Sequence, residues 1–135
     1  MKDAYLKGWL IKANNDIRII QNEFSLPEER IVTDAVCFHA QQAVEKFLKS
    51  FLISKNTEFS KTHNLNLLLS KCIFLDKEFE ILDLGNLNYY GIDVRYGEEL
   101  YLPSNNEAKE AFEIASKVKE FVLMKLIVKE EDLKI

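Results

Sequence analysis

The sequence predicts an all-α fold, an antiparallel up-and-down bundle of about five helices built on a four-helix core. Three features carry that expectation. Apolar residues recur at spacings of three and four along most of the chain, the period of a helix with one buried stripe. Only four glycines and two prolines occur in 135 residues, so the turn-rich composition of an all-β protein is missing. Two Ser-x-x-Glu patterns offer helix starts, and nowhere does the pattern alternate like a strand ladder. At this length a single domain over residues 1–135 is expected, large enough to bury one core.

The first helix is read from Leu6, Leu10, Ala13, Ile17, Ile20 and Phe24, with Trp9 widening the apolar face. Ser25-Leu26-Pro27-Glu28 has capping-box spacing and predicts that the second helix begins there and runs to about Ile53. Its apolar positions, Val36, Ala40, Ala43, Val44, Phe47, Leu48, Phe51 and Leu52, cover more than one stripe, which predicts a central helix touched by several neighbours. Leu65, Leu68, Leu69 and Cys72 mark a third helix. A fourth is expected from near Asp76, carrying Phe79, Leu82 and Leu87, and to kink or end among Gly85, Gly91 and Gly97. Pro103 and Ser104-Asn105-Asn106-Glu107 then open the last helix, whose stripe is Ala111, Ala115, Val118, Val122 and Leu126. Residues after about Lys129 are expected to fray.

A net charge of −4 argues against a broad basic face for duplex nucleic acid, although a local basic site remains compatible with it. The opening residues lack the apolar run of a signal peptide and no stretch is long enough to span a membrane, so a cytoplasmic protein is expected. Cys37 and Cys72 are accordingly read as small buried hydrophobes rather than a disulfide.

Polar chemistry concentrates on the second helix. His39, Gln42, Lys46 and Lys49, at spacings of three, four and three, share one polar face opposite the apolar core, flanked by Gln41 and Glu45. Such a face is either solvated or one wall of an anion or nucleotide groove. Lys61 and His63 precede the third helix, where Thr62 or Asn64 would cap it. With only two histidines and no converging ligand spacing, no metal or other cofactor is expected. Neither a Gly-x-Ser-x-Gly elbow nor a phosphate-binding glycine loop occurs.

The run Phe38-His39-Ala40-Gln41-Gln42-Ala43-Val44-Glu45-Lys46-Phe47-Leu48-Lys49 resembles the most characteristic segment of the HEPN family. Lys61-Thr62-His63-Asn64-Leu65 is similar to that family's Lys-Thr-His-Asp-Leu turn, and Val94-Arg95-Tyr96 resembles its Arg-Tyr motif, with Gly97 where a proline often follows. Trp9-Leu10 with Ala13 and Asp16 matches its first helix, so the resemblance spans nearly the whole chain with the motifs in order.

The resemblance implies a bundle of about five helices, commonly a homodimer, found beside or fused to a minimal nucleotidyltransferase in operons of toxin–antitoxin character. Some members resemble ribonucleases that use Arg followed after four to six residues by His; others bind nucleotides or a protein partner. Here the residues five to seven places after Arg95 are Leu100, Tyr101 and Leu102, and no histidine occurs beyond His63. Tyrosine is a poor general acid or base at neutral pH. The expected function is therefore a non-catalytic subunit that binds a nucleotide, or partners a nucleotidyltransferase, through His39, Gln42, Lys46, Lys49, His63, Arg95 and Tyr96. A metal-independent ribonuclease acting on RNA and a purely structural dimerisation module are the alternatives. Phe47, Phe51, Phe112 and Phe121 predict the homodimer, as apolar surface in excess of one seam per helix.

Overall fold

In the computed structural model, residues 3–90 and 101–134 are described. Helix α1 spans Ala4–Phe24 and starts at Asp3, whose carboxylate accepts the Tyr5 N–H at 2.9 Å. Its predicted stripe of Leu6, Leu10, Ala13, Ile17 and Ile20 is buried, while half-buried Phe24 meets Phe112 edge to face. The expected capping box after it does not form. Ser25 closes α1 instead, its hydroxyl donating to the Asn22 carbonyl at 2.6 Å, and so cannot cap the second helix. Glu28–Arg30 makes only a 3-10 turn. Helix α2 starts seven residues later than the Ser25 pattern suggests, spanning Thr33–Ser54, with the Val32 N–H held at 2.8 Å by the Glu23 carboxylate of α1.

Helix α2 is buried almost all round and packs against α1, the third helix and the last, as its broad apolar pattern predicts. It ends where Asn56 turns to a positive φ of 52° and the Thr57 N–H reaches back to the Leu52 carbonyl. Helix α3, Leu65–Leu75, is capped by Asn64, which accepts the Leu67 N–H, and by the Asn88 side chain, which accepts the Leu65 N–H.

No regular fourth helix grows from Asp76. Lys77–Ile81 is a 3-10 turn that pushes Phe79, fully buried, between the rings of Phe51 and Phe121 at centroid distances of 4.4 and 4.8 Å. The chain then breaks at Gly85, whose φ of +52° suits glycine and where an added Cβ would sit 3.0 Å from the Ile114 side chain. Helical geometry resumes at residues 87–90.

Helix α4, Asn105–Leu126, carries the predicted capping box: Ser104 accepts the Glu107 N–H at 3.1 Å and Glu107 accepts the Ser104 N–H at 3.0 Å. Past Lys129 the described residues do not fray. Glu130–Leu133 forms a 3-10 turn, closed by the Lys129 N–H on Asp132, that returns Leu133 to the core beside α1. The result is an all-α bundle, and none of the described residues forms a strand. No helix among them is long and apolar enough to cross a membrane. Phe47 and Phe51 are buried within this chain, and Phe112 and Phe121 are partly buried against the same core.

Phe79 closes the apolar junction of α2, the 3-10 turn and α4, so Phe79→Ala should cost about 3–5 kcal/mol in urea unfolding. Loss of one side of the α4 cap in Ser104→Ala should cost about 1 kcal/mol. Equal effects of the two substitutions would contradict this ranking.

Candidate functional site

A charged residue is rarely buried unless it is paired. Two carboxylates on adjacent helices meet that condition in the same way. Asp16 of α1, only 5% exposed, places Oδ1 2.8 Å from His39 Nδ1 and Oδ2 2.6 Å from Lys46 Nζ. Glu45 of α2, also 5% exposed, places Oε1 2.9 Å from His63 Nδ1 and accepts from Lys49 Nζ through Oε2 at 3.1 Å. Each carboxylate therefore holds one lysine and one histidine. The bond at Nδ1 orients each imidazole and leaves Nε2 as the nitrogen the ring can present to a ligand.

The residues expected on one solvated face are distributed differently. His39 and Lys46 are half-buried, with side chains 25% and 23% exposed, and His63 is open at 68%. Lys49 is buried at 7%, with its ammonium 5.8 Å from the Trp9 ring centre and 5.4 Å from that of Phe59. It belongs to the interior, because the α1 indole and the loop after α2 close over it. Gln42 donates to Gln41, and Gln41, fully buried, donates to the His63 carbonyl at 3.3 Å, tying that loop to α2. Arg95 and Tyr96 lie outside the described residues.

Asp16 and Glu45 anchor the cluster; Glu45 flanks the polar stripe of α2 in the sequence, whereas the stripe does not point to Asp16. Asp16 does leave a signal: it stands three residues after Ala13 and four before Ile20, a charge within the apolar stripe of α1. Among the described residues, no group of three or more His, Cys, Asp and Glu side chains is placed to hold a metal ion. Cys37 and Cys72 are free and buried, and burial pushes both thiols up to about 12, far from a reactive thiolate.

Tyr101, the nearest polar residue to the position of the family's ribonuclease histidine, is engaged elsewhere. Its hydroxyl donates to Glu107, and that bond pushes its pKa up to about 12. Tyr90 donates to the same carboxylate oxygen at 3.2 Å. The backbone N–H of Ser104, ahead of the Tyr101 hydroxyl, holds Glu107 below the ordinary glutamate value.

A model of the HEPN domain matches residues 6–127 of the chain. Neither a curated protein nor a solved structure matches it.

Removing the charge of Glu45 strands a buried ammonium, so Glu45→Gln should destabilise by about 3–5 kcal/mol, and adding Lys49→Met should restore more than half of the loss. Additive losses in chemical denaturation would contradict the pairing. Because the folded pKa of Glu107 is depressed, its stabilisation is present above 4.5 and fades as pH falls below that value. Glu107→Gln should therefore flatten the acid limb of the stability curve, and an unchanged limb would contradict the assignment.

Proposed function

Since the chain belongs to the HEPN domain family, we propose that it is a HEPN subunit without catalysis of its own, which binds a nucleotide along the α1–α2 seam and acts beside a minimal nucleotidyltransferase in a toxin–antitoxin-like system. The observation that carries this reading is the paired unit itself. Asp16 and Glu45 each hold one lysine and one imidazole, so Lys46 and the two rings are gathered at one seam as groups that can meet an anion. A phosphate group is the ligand chemistry that a lysine flanked by oriented imidazoles suits. Lys46 is the ammonium within reach of solvent, Nε2 is the ring nitrogen that each histidine leaves to a ligand, and Lys49 supports them from beneath. Arg95, in the Arg-Tyr motif, would serve as a two-pronged phosphate contact, since a guanidinium can hold two phosphate oxygens at once.

Lack of catalysis is supported by the absence of histidine after His63 and by the engagement of Tyr101 with Glu107. A second reading, a metal-independent ribonuclease, is favoured by one specific observation: a carboxylate-held histidine is also the arrangement of a general base, and His63 is open to solvent. RNA cleavage that disappears in His63→Ala and Arg95→Ala would replace the first reading with the second.

A homodimer forms part of the same proposal. It rests on the family and on the strongly exposed apolar side chains that remain, Phe74, Ile81 and Ile127 at 89, 78 and 91%. Light scattering should give twice the chain mass of 15.7 kDa, and the single mass at micromolar concentration would contradict it.

Calorimetry with ATP should show affinity that falls as salt rises, because phosphate contacts are screened. Lys46→Ala should weaken binding about ten- to a hundredfold. Binding that is independent of salt, or unchanged in Lys46→Ala, would overturn the assignment to this seam.

A further inference from the structure

A cavity of about 480 Å³ opens beside the seam, lined by Ala4, Tyr5, Gly8, Trp9, Lys12 and Lys46. Its size falls within the range of small-ligand sites, which are apolar with a few polar groups that fix orientation. Lys46 is shared with the seam, where it is bound to Asp16. The aromatic part is held in place: Tyr5 and Trp9 meet edge to face at 6.4 Å, Trp9 meets Phe59 at 6.2 Å, and the buried Lys49 ammonium lies over the indole. Gly8 lies on the cavity wall with open space beside it, since an added Cβ there would meet nothing within 4 Å.

We propose that this cavity is a nucleobase subsite, in which the base lies against Trp9 and Tyr5 while Lys12 and Lys46 hold the attached phosphates. The inference rests on the nucleotide-binding reading of the seam and deepens it, because it assigns the base a place of its own beside the phosphate contacts. An indole with an ammonium on its ring is a fixed, partly exposed π surface, and base–aromatic stacking tolerates any base. Lysines at the edge of an aromatic cavity supply the complementary charge for a group that joins a planar ring to phosphate. The same chemistry is offered by a free nucleotide and by one residue of a single strand.

Trp9 is the one tryptophan in the chain, so its fluorescence reports on this cavity alone. The test is titration of the full chain with ATP, with inorganic tripolyphosphate and with an eight-residue oligoadenylate, by fluorescence and calorimetry. ATP should quench Trp9 saturably and bind at least about fivefold more tightly than tripolyphosphate, the least that one stacked base contributes. Gly8→Leu fills the cavity from a position with open space and should bring ATP affinity down to that of tripolyphosphate while leaving tripolyphosphate binding unchanged. Trp9→Leu should do the same. Tighter quenching by the oligoadenylate assigns the nucleotide to a strand, and tighter quenching by ATP assigns it to a free ligand; either supports the subsite. Equal affinities for ATP and tripolyphosphate, with no quenching, would overturn the base subsite and leave the phosphate reading standing. Failure of both ligands to bind would overturn both.

Discussion

Two carboxylates are buried where α1 meets α2, and the arrangement of everything polar around that seam derives from the need to compensate them. A carboxylate taken from water loses several kcal/mol of solvation, which only close opposite charge and well-placed donors recover. Asp16 finds both on α2, in His39 and Lys46. Glu45 finds one partner on its own helix, in Lys49, and the other beyond it, in His63. The first pairing sets which residues face each other across the two helices. The second, with the Gln41 bond to the His63 carbonyl, pins the segment between α2 and α3. Apolar packing alone would tolerate slippage that these bonds do not.

The same constraint makes the region suited to binding. Both histidines are fixed at Nδ1, and Lys46 is held at the boundary between the core and the Trp9 cavity. Lys49 gives up solvent contact for a bracket of two rings and thereby stiffens the floor on which the cavity stands. Rigid donors lose little entropy when a ligand arrives, which is the advantage of a preorganised site. At the other end of the bundle, Glu107 plays a comparable organising part, joining the α4 cap to Tyr90 and Tyr101.

The helical class, the central role of α2 and the last helix with its cap were legible because periodicity and capping chemistry act locally, within three or four residues. The features that could not be read depended on distant partners. Ser25 and Glu28 have the spacing of a cap, but Ser25 closes α1 and Glu23, nine residues before Val32, supports the start of α2. The segment after Asp76 has helical apolar spacing, yet the place of Phe79 between two rings and the break at Gly85 hold it in a 3-10 turn. The polar stripe of α2 named four of the cluster's residues, His39, Gln42, Lys46 and Lys49. It missed that Lys49 turns inward, because the indole that covers it comes from α1. Arg95 and Tyr96 lie outside the described residues, so their relation to the seam rests on the family motif alone.

The central claim is that buried carboxylates orient both histidines through Nδ1. Long-range nitrogen–proton correlation NMR of the imidazoles tests it most directly, since the chain has two histidines and single substitutions assign them. In the neutral rings the proton should reside on Nδ1, with Nε2 unprotonated, and Glu45→Gln should release His63 while leaving His39 unaffected. Rings that carry the proton on Nε2, as free histidine mostly does, would contradict the account.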